Sequence, residues 1–319
     1  MKKQKDKIIV IVGPTAVGKT ALSVELAKKL NGEIISADSM QVYESLSIGT
    51  AKVTADEMEG IPHYLIDCVP ISGSYSVHDF KEQARKRISD ITSRGKLPIV
   101  VGGTGLYIQA LLFDFQLGQK KTEQETQLQK KWETYLECYG KQRLWEALAQ
   151  VDERAAQAIH PNNTRRVQRA LVVKEHTGMS LLEQDTVDFT DLSEAIYDVQ
   201  LIGLSTDRPL LYERINQRVD LMMSSGLLDE VRLLANHRDY QSAQGIGYKE
   251  FFPYLDGEIS LEEAVSAVKQ NSRRYAKRQL TWFRNRMTVD WWDIVKEPEQ
   301  VSRLEQQLER WWKGGNQHE

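Results

Sequence analysis

The aliphatic residues of the first hundred positions fall in short, dense runs separated by helical patterns. Ile8–Val12 is an unbroken apolar run, the mark of a strand buried on both faces. A Gly-rich loop follows, then helical spacing from Thr20 to about Leu30. Glu33–Ser36 predicts a second short strand, and His63–Val69 a weaker third. Val77–Arg94 reads as a helix closed by Gly95, and Pro98–Val101 as another buried strand. That strand runs into Gly102-Gly103-Thr104-Gly105 and a helix from about Leu106. Strands and helices alternating in this way specify a parallel sheet flanked by helices, so the expected class is α/β.

From about Phe115 the strand pattern stops. Leu128, Trp132, Tyr135, Leu136 and Tyr139 share one helical face, as do Leu144, Trp145, Leu148 and Val151. A third helix is expected from Thr164 to His176, stopped by Thr177-Gly178. Strand character returns at Asp198–Leu204, with Pro209 opening the next helix. The remainder reads as helix interrupted by Gly-rich and Trp-rich turns. The expected organisation is a core of residues 1–114 and 197–319, interrupted by an all-helical insertion at 115–196.

Length and composition narrow the class. The 319 residues match about two domains of roughly 150 each. No apolar run approaches the ~18 residues of a membrane span, and the charged N-terminus precedes too short a run for a secretory leader. Cys68 and Cys138 cannot build a disulfide framework or a Cys-rich zinc site, which makes a reducing cytoplasm the expected location. The net charge of −3 argues against a polyanionic partner, but its distribution reverses that reading. Between Ala264 and Val289 there is no acidic residue. Lys269, Arg273, Lys277 and Arg284 share one helical face there, with Arg274 and Arg278 beside them, while Val265, Val268, Tyr275, Ala276, Trp282 and Phe283 take the opposite face. A single-sign face on an acidic protein fits a nucleic-acid backbone. Arg165, Arg166 and Arg169 form a second basic stripe, blurred by Val172 and Val173.

The chemistry centres on Gly13-Pro14-Thr15-Ala16-Val17-Gly18-Lys19-Thr20, which matches the phosphate-binding pattern G-x-x-x-x-G-K-[ST] between a strand and a helix. Its glycines let backbone N–H groups wrap a phosphate chain, Lys19 supplies a point charge, and Thr20 is a candidate Mg²⁺ ligand. A nucleotide hydrolase would add an Asp after a long aliphatic strand, and only Asp67, after Leu65-Ile66, approaches that. Asp38 instead follows the Glu33–Ser36 strand. Ligands of parallel sheets sit at the carboxyl ends of strands, so Asp38 is expected either at the phosphate site or as a helix cap. Thr104 ends a core strand in the same way, either facing a ligand or capping its helix. Arg214 and Arg218 lie one helical turn apart, placed either for surface ion pairs with Glu213 or Asp220 or to close over phosphates.

Taken together, these segments resemble the landmarks of the bacterial tRNA dimethylallyltransferases (tRNA isopentenyltransferases), in order over nearly the whole chain. The stretches are GPTAVGKT, SADSMQVY followed by IGTAK, HYLID, VGGTGLY, RRVQRAL, ERINQRVD, QGIGYKE and RRYAKRQLTWFRN. Val17 departs from the Ser that many relatives carry, at a position of backbone contact. The Cys/His zinc finger of eukaryotic relatives is absent. The resemblance implies a P-loop NTPase-like core with a helical insertion that contacts tRNA, and transfer of a dimethylallyl group from its diphosphate to N6 of the adenosine 3′ of the anticodon. It implies that the P-loop residues Gly13, Pro14, Thr15, Ala16, Val17, Gly18 and Lys19, with Arg218 and less firmly Arg214, bind the diphosphate. Thr20 would bind Mg²⁺, Thr104 would hydrogen-bond the departing oxygen, and Asp38 would be the general base. Asp38, Ser39, Met40 and Gln41, together with Thr104, would meet the tRNA. So would Arg165, Arg166, Val167, Gln168 and Arg169, and Gln244, Gly245, Ile246, Gly247, Tyr248 and Lys249, with Lys277 and Arg284 on the RNA backbone and the target base extruded. A monomer without membrane attachment is expected. The rival reading is a P-loop kinase of a small metabolite or nucleoside, with Asp38 deprotonating a hydroxyl. A GTPase-like switch lacks its N/T-K-x-D motif here.

Overall fold

The computed structural model describes residues 5–113, 122–184 and 188–314. The chain divides into two compact units, one of residues 1–115 with 189–319 and the other of residues 116–188. The boundary expected at 114/115 lies outside the described residues.

The larger unit is built on six parallel strands in the order β3-β2-β4-β1-β5-β6. They are β1 (Lys7–Val12), β2 (Gly32–Ser36), β3 (His63–Tyr64), β4 (Leu97–Gly102), β5 (Asp198–Leu204) and β6 (Asp290–Trp292). β1 lies between β4 and β5, with Val10 opposite Val100 on one side and Leu201 on the other. Helices cover both faces, so Ile8 to Val12 are fully buried, as continuous aliphatic runs in parallel sheets demand. Lys19–Leu30 and Arg208–Ser224 follow β1 and β5, and Val77–Ser93 and Leu261–Arg286 each begin at a Ser capping box.

Two strands differ from the expectation. β3 stops at Tyr64 because Leu65 and Asp67 take left-handed backbone angles, φ 62° and 48°, which no strand accommodates. Only an isolated bridge, Tyr43 to Val69, continues the pairing. β6 is a strand the apolar pattern misses. It exists through pairing with β5 and through the Trp291 ring, which covers Gly203 so closely that a Cβ there would lie 2.6 Å from it.

Glu33 on β2 is a buried carboxylate held by four donors. Arg94 grips it twice, at 2.6 and 2.7 Å, and Lys96 and Tyr64 add bonds of 2.7 and 2.9 Å. The Arg94 hydrogen bonds, opposed by burial and helped by Lys96 and Tyr64, hold its carboxyl down at about 2. This value lies below that of an unfolded Glu, so the stabilisation is present above pH ~4.3 and lost as pH falls towards 2. Glu33→Gln should therefore destabilise the fold by about 2 kcal/mol at pH 7, a buried-pair loss reduced because the cations are partly solvated. In urea titrations the difference from wild type should shrink below pH ~4.

The smaller unit is helical. Glu123–Val151 is broken at Gly140 (φ 77°, ψ 172°), and Glu153–Ala158 and Thr164–Thr177 pack against it. Leu144, Leu148, Ala155, Val167 and Leu171 form its core, with Trp132 and Trp145 against them. Tyr139 beside the break and Val151 at the helix end are exposed, contrary to their place in the apolar pattern.

Candidate active site

The P-loop is shaped by three residues that side chains disfavour. Gly13 has φ 140°, and a Cβ there would lie 2.4 Å from the Leu204 carbonyl oxygen. Ala16 (φ 67°) and Gly18 (φ 91°) are left-handed, which curls the loop so that successive N–H groups point inward at the start of the Lys19–Leu30 helix. Val17 turns its side chain into the core and can offer a ligand only its backbone. Lys19 Nζ donates to the Pro14 carbonyl at 2.5 Å, and Thr20 is exposed at the first turn.

Three charged side chains converge above this loop. Burial pushes the Lys19 ammonium down to about 8, with the Arg218 guanidinium lowering it further and Asp38 opposing. Burial likewise lowers Arg218, again opposed by the Asp38 carboxylate. Among the described residues Arg218 has no ion pair or hydrogen bond, so two cations face a single carboxylate in a partly desolvated place, an excess of positive charge that an anion would relieve. Arg214 is different: its Nε donates to the Ala16 carbonyl at 2.7 Å, bracing the loop from outside. Asp67 is remote in function as well, paired with Lys52 at 2.5 Å.

Asp38 leaves the end of β2 with its two oxygens in different roles. Oδ1 accepts from Met40 N–H at 2.8 Å and Gln41 N–H at 3.4 Å, closing a turn, while no helix follows. Oδ2 has no partner among the described residues. The turn thus fixes a carboxylate whose second oxygen faces the site. Thr104, at the end of β4, accepts from Ser39 N–H at 3.2 Å and lies 3.5 Å from Ser39 Oγ, so it touches the Asp38 turn directly.

The loops behind are locked by buried polar groups. Gln41 accepts from Ser36 Oγ at 3.0 Å and donates to the Thr50 and Ala51 carbonyls at 3.3 Å. Glu230 accepts from the N–H groups of Ser47, Ile48 and Gly49 at 2.7–2.8 Å and from the Tyr248 hydroxyl at 2.6 Å. Tyr248 is therefore fully buried, while Gln244 and Lys249 of the same segment remain exposed. Met40 packs on Gly245, which brings this segment against the Asp38 turn.

The sequence matches the IPP transferase family over residues 41–286. The chain belongs to that family. The tRNA dimethylallyltransferase of Enterococcus faecalis is 57% identical over 96% of this chain and 97% of its own. The solved full-length tRNA isopentenylpyrophosphate transferase of Bacillus halodurans shares 47% identity with a TM-score of 0.72, covering 97% and 98% of the two chains. A solved eukaryotic dimethylallyltransferase acting on tRNA is 35% identical with a TM-score of 0.70, over 87% of this chain and 70% of that one.

Several IPP transferase positions singled out in the sequence serve the interior instead of a surface. Gln41 spends its amide inside the protein, Tyr248 spends its hydroxyl on Glu230, and Val167 lies in the core of the helical unit. Gln168 donates to the Trp132 carbonyl at 3.4 Å. Arg165, Arg166 and Arg169 are exposed on that unit. The basic face of Leu261–Arg286 is smaller than its periodicity suggests. Lys269 pairs with Asp220 at 2.6 Å, and Arg273 bonds Asn216 at 2.6 Å and stacks on Tyr212. Lys277 and Arg284 stay exposed, the latter over the Trp291 ring at 5.4 Å. Two inward residues of this helix lie close to the site without a motif to mark them. Burial pushes the Tyr275 hydroxyl up to about 12, Asp38 adding to the rise and the neighbouring Thr104 and Gln279 side chains opposing it, and Gln279 Nε2 donates to the Gly103 carbonyl at 3.0 Å. A Gln on an otherwise apolar face was the available signal.

Proposed function

We propose that the chain transfers a dimethylallyl group from dimethylallyl diphosphate to N6 of the adenosine 3′-adjacent to the anticodon of tRNA, releasing diphosphate. The observation that carries this reading is the pairing of a P-loop with Asp38, a carboxylate at the end of β2 whose Oδ2 has no partner among the described residues, in place of the metal-holding Asp of a nucleotide hydrolase. The family membership and the exposed cations of Leu261–Arg286 support a tRNA acceptor over the small acceptor of a kinase.

The chemistry follows from the geometry. Adenine N6 attacks the allylic carbon, the carbon–oxygen bond to the diphosphate breaks, and Asp38 Oδ2 takes the proton that N6 sheds. Lys19, Arg218 and the P-loop N–H groups hold the diphosphate as its charge grows. Thr104 donates a hydrogen bond to the departing bridging oxygen. Among the described residues no cluster of three His, Cys, Asp or Glu could hold a metal by itself. The donor set fits Mg²⁺ held mainly by diphosphate and water, with the exposed Thr20 hydroxyl as its protein ligand. Such an ion supplies charge neutralisation on the leaving group. Arg165 and Arg169 of the helical unit, and Gln244 and Lys249, are assigned to the tRNA by their exposure. Gln41, Val167 and Tyr248 act as supports.

Mixing the protein with an anticodon stem-loop and dimethylallyl diphosphate should give prenylated adenosine by mass spectrometry, with ATP neither consumed nor required. Phosphorylated nucleoside made at the expense of ATP would establish the kinase instead. Replacing Lys277 and Arg284 with Gln should weaken binding of all tRNA substrates alike. It should also flatten the log–log salt dependence by about 0.7–0.9 for each phosphate contact removed. An unchanged slope would leave that face as solvated surface.

A further inference from the structure

β5 and the helix that follows it touch the P-loop twice. At the end of β5, the Leu204 carbonyl oxygen lies 2.4 Å from where a Cβ on Gly13 would fall. In the second turn of Arg208–Ser224, Arg214 Nε donates to the Ala16 carbonyl at 2.7 Å. The second contact falls on the Ala16–Val17 peptide, whose two side chains are already placed. Val17 is 1% exposed in the core, and Ala16 packs against the same cluster. Fixed side chains do not fix the peptide plane between them, which can still rotate about its flanking Cα atoms. Its direction is set by what its carbonyl and its N–H meet. A trans peptide points those two groups in opposite directions. Arg214 holds the Ala16 carbonyl outward, so the Val17 N–H points inward, into the hollow of the loop. That N–H is buried with its residue, and it donates to no carbonyl or side chain among the described residues. A buried N–H without a partner is rare and destabilising, and an anion in the loop would satisfy it. The arrangement also carries strain, since Ala16 takes φ 67°, a left-handed angle that alanine disfavours. The charge-assisted bond from Arg214 offsets it.

We infer that Arg214 is a positioning residue for the diphosphate: its Nε–H holds the Ala16 carbonyl so that the Val17 N–H is aimed at the anion. Arg218, one helical turn further on, supplies charge to the same site, so the two arginines have different tasks. The inference rests on the reading of the P-loop as a diphosphate site and on no later step of the transfer.

Side-chain chemistry separates aiming from charge. Gln carries Nε2 the same number of bonds from its Cα as Arg carries Nε, so Arg214→Gln removes the charge and keeps a donor in place. Arg214→Met removes both and keeps the length of the stem. Calorimetric titration with inorganic diphosphate and Mg²⁺ should find Arg214→Met about tenfold weaker than Arg214→Gln, the scale of one hydrogen bond to a charged group. In amide spectra of protein labelled at the valine nitrogens, the Val17 proton should move downfield as wild type and Arg214→Gln take up diphosphate. In Arg214→Met it should move less than half as far at saturation. Equal affinities of the Gln and Met variants would show Arg214 acting by charge alone and overturn the inference. So would a Val17 amide that diphosphate leaves unmoved in wild type, or that moves as far in Arg214→Met. A wild type that binds no inorganic diphosphate removes the P-loop reading and this inference together. A wild type that binds it, beside Gln and Met variants of equal affinity, removes this inference alone.

Discussion

Asp38→Asn should slow transfer by about 10²–10⁴ at saturating substrates, the usual worth of a general base. Adenine N6 is a weak nucleophile because its lone pair is delocalised into the ring. It gains positive charge and becomes acidic only as the new bond forms. Asn keeps the Oδ1 contacts to Met40 and Gln41 that close the turn, so the loop should survive. What it loses is the second oxygen's ability to take a proton. Donor affinity should change little, and tRNA affinity only modestly. A loss under tenfold in single-turnover transfer would move the base elsewhere and leave Asp38 as the anchor of a turn.

Lys19→Ala should raise the dissociation constant for dimethylallyl diphosphate at least about a hundredfold, the cost of leaving a buried charge without its partner. Burial lowers the proton affinity of both Lys19 and Arg218, and repulsion by the Arg218 guanidinium lowers that of Lys19 further. A diphosphate relieves that repulsion, so the two cations act together and removal of either exposes the ligand to a half-neutralised pocket. Stem-loop affinity without donor should stay within about twofold. Unchanged donor binding by calorimetry would contradict the assignment of the P-loop to the donor.

Much of the fold and of the site is legible in the sequence, for identifiable reasons. β1 and β4 are buried on both faces and therefore read as aliphatic runs, and the P-loop announces itself because few residue types tolerate its backbone. β6 is invisible in Asp290-Trp291-Trp292, since an edge strand of three residues is made by its neighbour. The positions that periodicity misjudged are those decided by a partner far along the chain. Lys269 looks like a free cation until Asp220 of another helix is placed beside it, and Tyr248 looks like an RNA contact until Glu230 claims its hydroxyl. Gln279 interrupts an otherwise apolar helix face, and only its bond to the Gly103 carbonyl ties it to the loop that carries Thr104.

The place of β1 in the sheet also has a consequence for biosynthesis. Its partner β5 begins at Asp198, so the most apolar strand of the chain leaves the ribosome with one edge unsatisfied. At about 5–20 residues per second, β5 follows roughly 10–40 s later. During that interval Ile8–Val12 is a ready template for pairing with another nascent chain. Variants that slow translation of the helical segment between the two strands should therefore aggregate more, even though they leave the finished protein unaltered.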